Sequence, residues 1–289
     1  KANLSYGHIE SSKMDYALLG GAYMHGISMN RVDLNFADLS YADLSSAFIR
    51  GTKFNNADLQ YAVLNDSSLE GIEFKNAKMS NSDLKKADLS GAVLTGAIMN
   101  SVDLSGSDLS RVSLRNADLT GAKIEDAKLD GADLTNALLE GATLKNITFN
   151  NATLNGALLK NADLKELNLS GIKMSKAQFS GSDFNDVNFS FADLSFAVLS
   201  GCDLTLASFQ GANLTSTELS GAILEGSILK DSNLKNALLV NAKMNGADLE
   251  GADIRGADFS GVDINSIKNF ELTKNRDKAK GLNITTPAD

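Results

Sequence analysis

Two histidines, one cysteine and a surplus of aspartate are the first residues of this 289-residue chain to test for chemistry. Nucleophilic catalysis needs a serine or cysteine within reach of a base that a third group orients. His8 and His25 lie near one end of the sequence, and Cys202 is far from both. No Ser/His/Asp set follows from that distribution, and lone histidines of this kind are expected as solvated side chains. A zinc site requires Cys and His at short spacing, which a single cysteine cannot supply. The glycines recur at intervals of five or ten rather than in a strand–loop–helix phosphate cradle. Nor do the aspartates follow the nonapeptide calcium pattern. The expectation is a protein without catalytic, cofactor or metal residues, and not an enzyme.

The elements that must position any site have an unusual period. From Leu4 to Ile264 every fifth residue is Leu, Ile, Met or Phe, through 53 consecutive units without a slip. Two places before each such anchor (position i) stands a small residue, most often Ala, and one place before it often Asp or Asn. Typical units are Ala37-Asp38-Leu39, Ala87-Asp88-Leu89, Ala132-Asp133-Leu134 and Ala252-Asp253-Ile254. A period of five belongs neither to a helix nor to an alternating strand. It is the mark of a solenoid, whose units are too small to bury their own apolar face and must stack. Cys202 falls at i−2 and is read as a small buried residue. With one cysteine there is no internal disulfide, which suits a reducing compartment without demanding one. Of the 24 glycines, 21 fall at i+2, where a corner needing positive φ would place them.

The A-(D/N)-L-x-x pattern resembles the pentapeptide-repeat proteins, and the likeness runs over about nine-tenths of the chain. It implies an all-β solenoid: a right-handed quadrilateral parallel β-helix, with four pentapeptides per coil. Positions i and i−2 would point inward, and i−1, i+1 and i+2 outward. Twenty residues per coil gives about 13 coils, and strands ~4.8 Å apart would make them roughly 60–65 Å long. Residues 1–264 are expected as the repeat domain and 265–289 as a C-terminal cap and tail. In the cap, Ile267 and Phe270 would plug the core and Thr273 would start a short helix over about 274–280, ending at Gly281. Leu282–Asp289 is expected to be extended and partly disordered. The repeat phase is already running at Lys1, so upstream residues or another chain are expected to cover that end.

Residues 20 apart should stack in adjacent coils. Tyr41 would lie over Tyr61 and Tyr16 over Phe36, among five outward tyrosines confined to residues 1–65. Such a cluster either marks a partner surface or stiffens the wall by stacking. One i−1 column carries Asp163, Asp183 and Asp203, where carboxylates in register repel. Three readings stand for it: carboxylates bonding to turn backbone, an adventitious cation site, or an acidic contact stripe. A second i−1 column carries Leu138, Leu158, Val198 and Leu238, which would be either an apolar interface or a scatter of β-formers. Larger anchors between Phe149 and Phe209, with Ile147, Leu167 and Val187 in the small slot, predict a locally wider coil.

Net charge is −9 with a pI near 4.8; residues 1–264 hold 33 acidic and 22 basic side chains. An acidic wall disfavours nucleic acid as a direct partner, because phosphate binding depends on Lys and Arg. It suits a basic or apolar protein surface and also confers solubility. No apolar run approaches a membrane span of ~20 residues. The primary expectation is a non-catalytic protein-binding scaffold, with a homodimer through a solenoid end as one form. The resemblance implies an alternative, a B-DNA-mimicking modulator of a type II topoisomerase. Against it, there is no loop insertion between Leu4 and Ile264, and Lys274–Lys278 is too polar for an apolar dimer helix. A secreted effector, or one module of a longer protein, is the third possibility, and the compartment is left open.

Overall fold

The computed structural model describes residues 2–282. They form a β-helix in two compact units, Lys1–Leu158 and Leu159–Asp289. In each unit the chain advances one coil every 20 residues. In the first, the Leu39 amide donates to the Asp58 carbonyl (2.7 Å) and the Asp58 amide donates to the Ala37 carbonyl (2.9 Å). In the second, Leu199 donates to Glu218 (2.8 Å) and Glu218 to Ala197 (2.9 Å). The pairing is parallel throughout, mostly as single bridges between i−1 residues. Among the described residues, only one side of the first three coils is continuous enough to form strands: β1 (His8–Glu10), β2 (Ser28–Asn30) and β3 (Phe48–Arg50), in that order.

Anchors line the interior. Leu39 and Leu134 in the first unit and Leu249 in the second are fully buried. Burying a leucine side chain is worth about 1.5–3 kcal/mol, so the periodic anchors are the main favourable contribution to each unit. Aromatic anchors stack down the axis: Phe54 on Phe74 in the first unit and Phe189 on Phe209 in the second, each with centroids 5.0 Å apart. Phe179, Phe184 and Phe189 continue that second cluster edge to face. In the enlarged small slot, Ile147 and Val187 are buried, whereas Leu167 is only half-buried.

Corners follow from the same repeat. Every i+2 residue from Tyr6 to Gly261 has φ between 48° and 78°. The i+3→i bond of a type II turn closes them, as from the Ala37 amide to the Leu34 carbonyl (3.2 Å). Glycine holds 21 of these corners and Asn or Asp another 14, the residues that tolerate this region best. Polar residues in the i−2 slot bond to backbone: Ser182 Oγ donates to the Leu159 carbonyl (2.7 Å) and Thr217 Oγ1 to that of Leu194 (2.8 Å). Cys202 takes the same role, donating Sγ–H to the Phe179 carbonyl at 3.0 Å, and burial pushes its thiol up to about 12. As expected from its slot, it is a buried small residue.

The C-terminal segment departs from the helix expected over 274–280. Arg276–Lys278 is a 3-10 turn, the third after Ile264–Ser266 and Phe270–Leu272, and no α-helix occurs among the described residues. The reason lies in where the amides go. Lys268, Lys274 and Lys280 donate to the carbonyls of Ala247, Ala252 and Ala257 (2.8 Å each), so backbone that a helix would use internally stays in the ladder. The repeat has lengthened from five residues to six, with left-handed corners at Asn269 and Asn275. Thr273 ends a turn rather than starting a helix, its hydroxyl donating to the Phe270 carbonyl (2.8 Å). Ile267 and Phe270 are buried as expected, with Phe270 edge-on to Phe259 at 5.8 Å. Apart from Leu282 itself, the stretch expected to be extended lies outside the described residues, as does Lys1.

Candidate protein-binding surface

Outward carboxylates in this wall have a local job. An Asp at i−1 accepts the amide of residue i+1, and often its hydroxyl as well. Asp103 takes the Ser105 amide (3.2 Å) and hydroxyl (2.7 Å), and Asp118 the Thr120 amide (3.0 Å) and hydroxyl (2.6 Å). This Asx turn orders the residue before each corner. The Asp163–Asp183–Asp203 run follows the rule, with amide bonds from Lys165 (3.5 Å), Asn185 (3.1 Å) and Thr205 (3.0 Å). Lys165 Nζ also lies 2.9 Å from Asp183, and that hydrogen bond raises the lysine pKa. Backbone bonding, the first of the three readings, therefore accounts for much of the run. No group of three or more His, Cys, Asp or Glu fit to hold a metal occurs among the described residues.

These bonds make stability depend on acid. Burial pushes the Asp103 carboxyl up, but the Ser105 hydroxyl and amide, with Lys85, outweigh it and hold the group below its ordinary 3.8. Burial is likewise overcome at Asp133 by Thr135 and Arg115, and at Asp248 by Asn269, the Glu250 amide and Lys230. A carboxyl depressed by folding contributes stability that is present above its unfolded pKa and lost as pH falls through its folded one. The melting temperature should hold from pH 7 to about 5 and fall below about 4. A melting temperature unchanged down to pH 3 would contradict this.

Apolar residues break the otherwise polar wall in restricted places. Among the described residues, eight of the sixteen large apolar side chains that stand exposed lie between Tyr6 and Tyr61, in the first three coils. Tyr41 stacks on Tyr61 (centroids 4.8 Å, interplanar 5°) and Tyr16 on Phe36 (5.1 Å, 8°), as their spacing predicts. All four are corner residues at φ 57° to 62°, a region that costs non-glycine residues roughly 1–2 kcal/mol each. Stacking offsets part of that at about 0.5–1.5 kcal/mol per pair. The second unit has its own exposed corners, Phe191, Phe196 and Leu206, with φ 59° to 61°. Sequence reasoning missed these because it sorted i−1 positions; an apolar residue at i+2 was the available signal.

The apolar column is interrupted in the ladder by Asp118, Gln178 and Glu218, as it is in the sequence. Leu138 and Leu158 are ladder partners, 36% exposed and half-buried respectively. In the second unit Glu218 pairs with both Val198 and Leu238 and so separates them. The structure does bring one histidine to a serine, His25 Nδ1 lying 2.8 Å from Ser45 Oγ. That hydroxyl also bonds Asp43 at 2.5 Å, so the carboxylate orients the serine and not the histidine. This is another Asx turn, without the orientation of a nucleophile–base pair.

The pentapeptide-repeat model matches eight copies over segments from residue 17 to residue 266. The chain belongs to the pentapeptide-repeat family. Among solved structures of this family it is similar to HetL, involved in heterocyst differentiation regulation in the cyanobacterium Nostoc sp. strain PCC 7120. The identity is 31%, covering 86% of this chain and 91% of HetL, with a TM-score of 0.32. It is also similar to QnrB1, a plasmid-mediated fluoroquinolone resistance protein: 22% identity over 60% of this chain and 89% of that one, TM-score 0.35. A third is Rfr23 from the cyanobacterium Cyanothece 51142, at 27% identity over 44% of this chain and 90% of Rfr23, TM-score 0.29. No curated protein matches the sequence. As a pentapeptide-repeat protein, the chain belongs to a class of β-helices generally used for interaction and structure rather than catalysis. No helix among its described residues is long and apolar enough to cross a membrane.

Proposed function

We propose that this pentapeptide-repeat protein is a non-catalytic scaffold that binds a protein partner through the outer wall of its first three coils. In this reading the coil is a right-handed, four-sided one, supported by a left-handed corner every five residues and a ladder every twenty. The observation that carries the proposal is the concentration of exposed aromatic side chains between Tyr6 and Tyr61, five of which (Tyr6, Tyr16, Phe36, Tyr41 and Tyr61) are held in strained corner conformations. Interfaces are enriched in Tyr and Phe, and backbone strain kept at exposed residues is grounds for a functional hypothesis. Stacking along the wall explains the pairing of the rings but not why they replace the Gly, Asn and Asp that hold most corners. Leu138, Leu158 and the Asp163–Asp203 stripe are secondary contacts in this reading.

The test is partner capture by the wild type and by Tyr41→Ser/Tyr61→Ser, serine being native at corners such as Ser46 and Ser101. We expect the double variant to melt within about 2 °C of the wild type, as surface changes do, and to lose most of the partner. Equal capture by both proteins would end the proposal. The net charge of −9 also suits a modulator that replaces B-DNA on a type II topoisomerase. Inhibition of gyrase supercoiling at micromolar protein, unaffected by the tyrosine changes, would favour that alternative.

A further inference from the structure

One side of the first three coils is built as a trough. Between consecutive corners it carries, row by row, Tyr16-Leu18-Gly20-Gly21, then Phe36-Asp38-Ser40-Tyr41, then Asn56-Asp58-Gln60-Tyr61. The i−1 members of these rows are ladder partners, Leu18 with Asp38 and Asp38 with Asp58. The stacked Tyr16 and Phe36 thus form one rim and the stacked Tyr41 and Tyr61 the other. The floor holds two carboxylates one strand spacing apart, ~4.8 Å, below a Leu18 that is 88% exposed.

The charge of that floor is unmatched. Asp38 accepts the Ser40 amide and hydroxyl on one oxygen (2.9 and 2.7 Å), and Asp58 accepts the Gln60 backbone amide on one oxygen (3.1 Å) and the Gln60 side-chain amide on both (3.2 Å each); these donors are neutral and carry no counter-charge. On other sides of the coils some Asx carboxylates take a cation, as Asp83 and Asp103 share Lys85, Asp183 takes Lys165 and Asp248 takes Lys230, whereas others, such as Asp43 and Asp88, have no ion pair within 4.0 Å among the described residues. Among the described residues no ion pair within 4.0 Å reaches Asp38 or Asp58, although Lys78 is the next ladder partner of Asp58. Two carboxylates in register repel each other; Asp38 lies between the aromatic corners Phe36 and Tyr41, and Asp58 between Asn56 and Tyr61.

We infer that this trough, taking the protein-binding reading above as its basis, docks an arginine-rich segment of the partner. A guanidinium carries a fork of donors that can serve both carboxylates, and its plane and methylene stem pack against aromatic rings. Lysine would satisfy the charge but not the fork. An acidic segment would add like charge beside Asp38 and Asp58, and a purely apolar one would cover them without a counter-charge.

The test is fluorescence anisotropy with a labelled hexa-arginine peptide at physiological salt. Asp38→Asn/Asp58→Asn should keep the fold, since Asn188 and Asn213 make the same turn bonds in the native chain. That variant should bind about tenfold more weakly, as should Phe36→Ser/Tyr41→Ser, whereas Asp163→Asn/Asp203→Asn, which removes equal charge elsewhere, should change affinity less than about twofold. Equal losses from both aspartate pairs would mean diffuse attraction to an acidic protein and would overturn the inference. So would binding of hexa-glutamate as tight as that of hexa-arginine, or no binding of hexa-arginine. Partner capture that needs Tyr41 and Tyr61 but not Asp38 and Asp58 would overturn this inference while leaving the protein-binding proposal standing.

Discussion

Phe189→Ala is expected to lower the unfolding free energy by about 3–5 kcal/mol, the cost of removing a buried aromatic and leaving a cavity. Phe189 is fully buried, stacks on Phe209 at 5.0 Å and meets Phe184 edge-on at 5.1 Å. Neighbouring coils are pinned by ladder bonds at both ends of each side, for instance Phe189 to Ser208 (2.7 Å) and Ser208 to Val187 (2.9 Å). The wall therefore cannot close around the hole, which puts the site toward the upper part of that range. Phe191, two residues away, is the internal control: it is an exposed corner at φ 61°, lying over Gly211. Phe191→Asn should be neutral or slightly stabilising, since Asn accepts the left-handed region at less cost. Urea denaturation of both variants is the measurement. A Phe189→Ala protein within about 1 kcal/mol of the wild type would show that the interior is not close-packed at this anchor.

Gly281→Ala should detach the last coil. At φ 71° any side chain is strained, and a Cβ here would sit 2.3 Å from the Ser260 backbone nitrogen and 2.5 Å from its Cα. Backbone cannot move aside as a flexible side chain can, so the Lys280–Ala257 and Phe259–Lys280 bonds should break with it. Gly71 separates the two costs, because it has φ 65° but nothing within 4 Å of an added Cβ. Gly71→Ala should cost only the conformational term of about 1 kcal/mol. Hydrogen exchange at Lys274 and Lys280 reads the difference. We expect their amides to lose protection in Gly281→Ala while those near Leu134 keep it. Unchanged protection at Lys274 and Lys280 would refute the close approach.

How much of this could be read from the sequence depended on whether a residue obeys the repeat. Leu39, Leu134 and Leu249 were legible as core because an anchor every fifth position has only one inward direction. The same period placed Tyr41 over Tyr61 and Phe189 against Phe209. Corners were legible through glycine alone, yet Phe191, Phe196 and Leu206 adopt the same positive φ, held there by the ladder against their own preference. The Asp-Leu-Ser and Asp-Leu-Thr triplets contained the Asx turn, but the missing ion pairs at Asp38 and Asp58 needed coordinates. Past Ile264 the composition of Lys274–Lys280 suggests a helix. Its amides instead continue the ladder in six-residue steps, because Phe259 and its neighbours offer an edge that a detached helix would leave unpaired.

Photo-crosslinking tests the central claim most directly: benzoylphenylalanine is placed singly at Tyr41, Tyr61, Lys123 and Asp163, and each protein is irradiated with its captured partner. Crosslinks concentrated at positions 41 and 61 are what a recognition surface on the first three coils predicts. Crosslinks of equal yield at all four positions, or found only at 123 and 163, would contradict it.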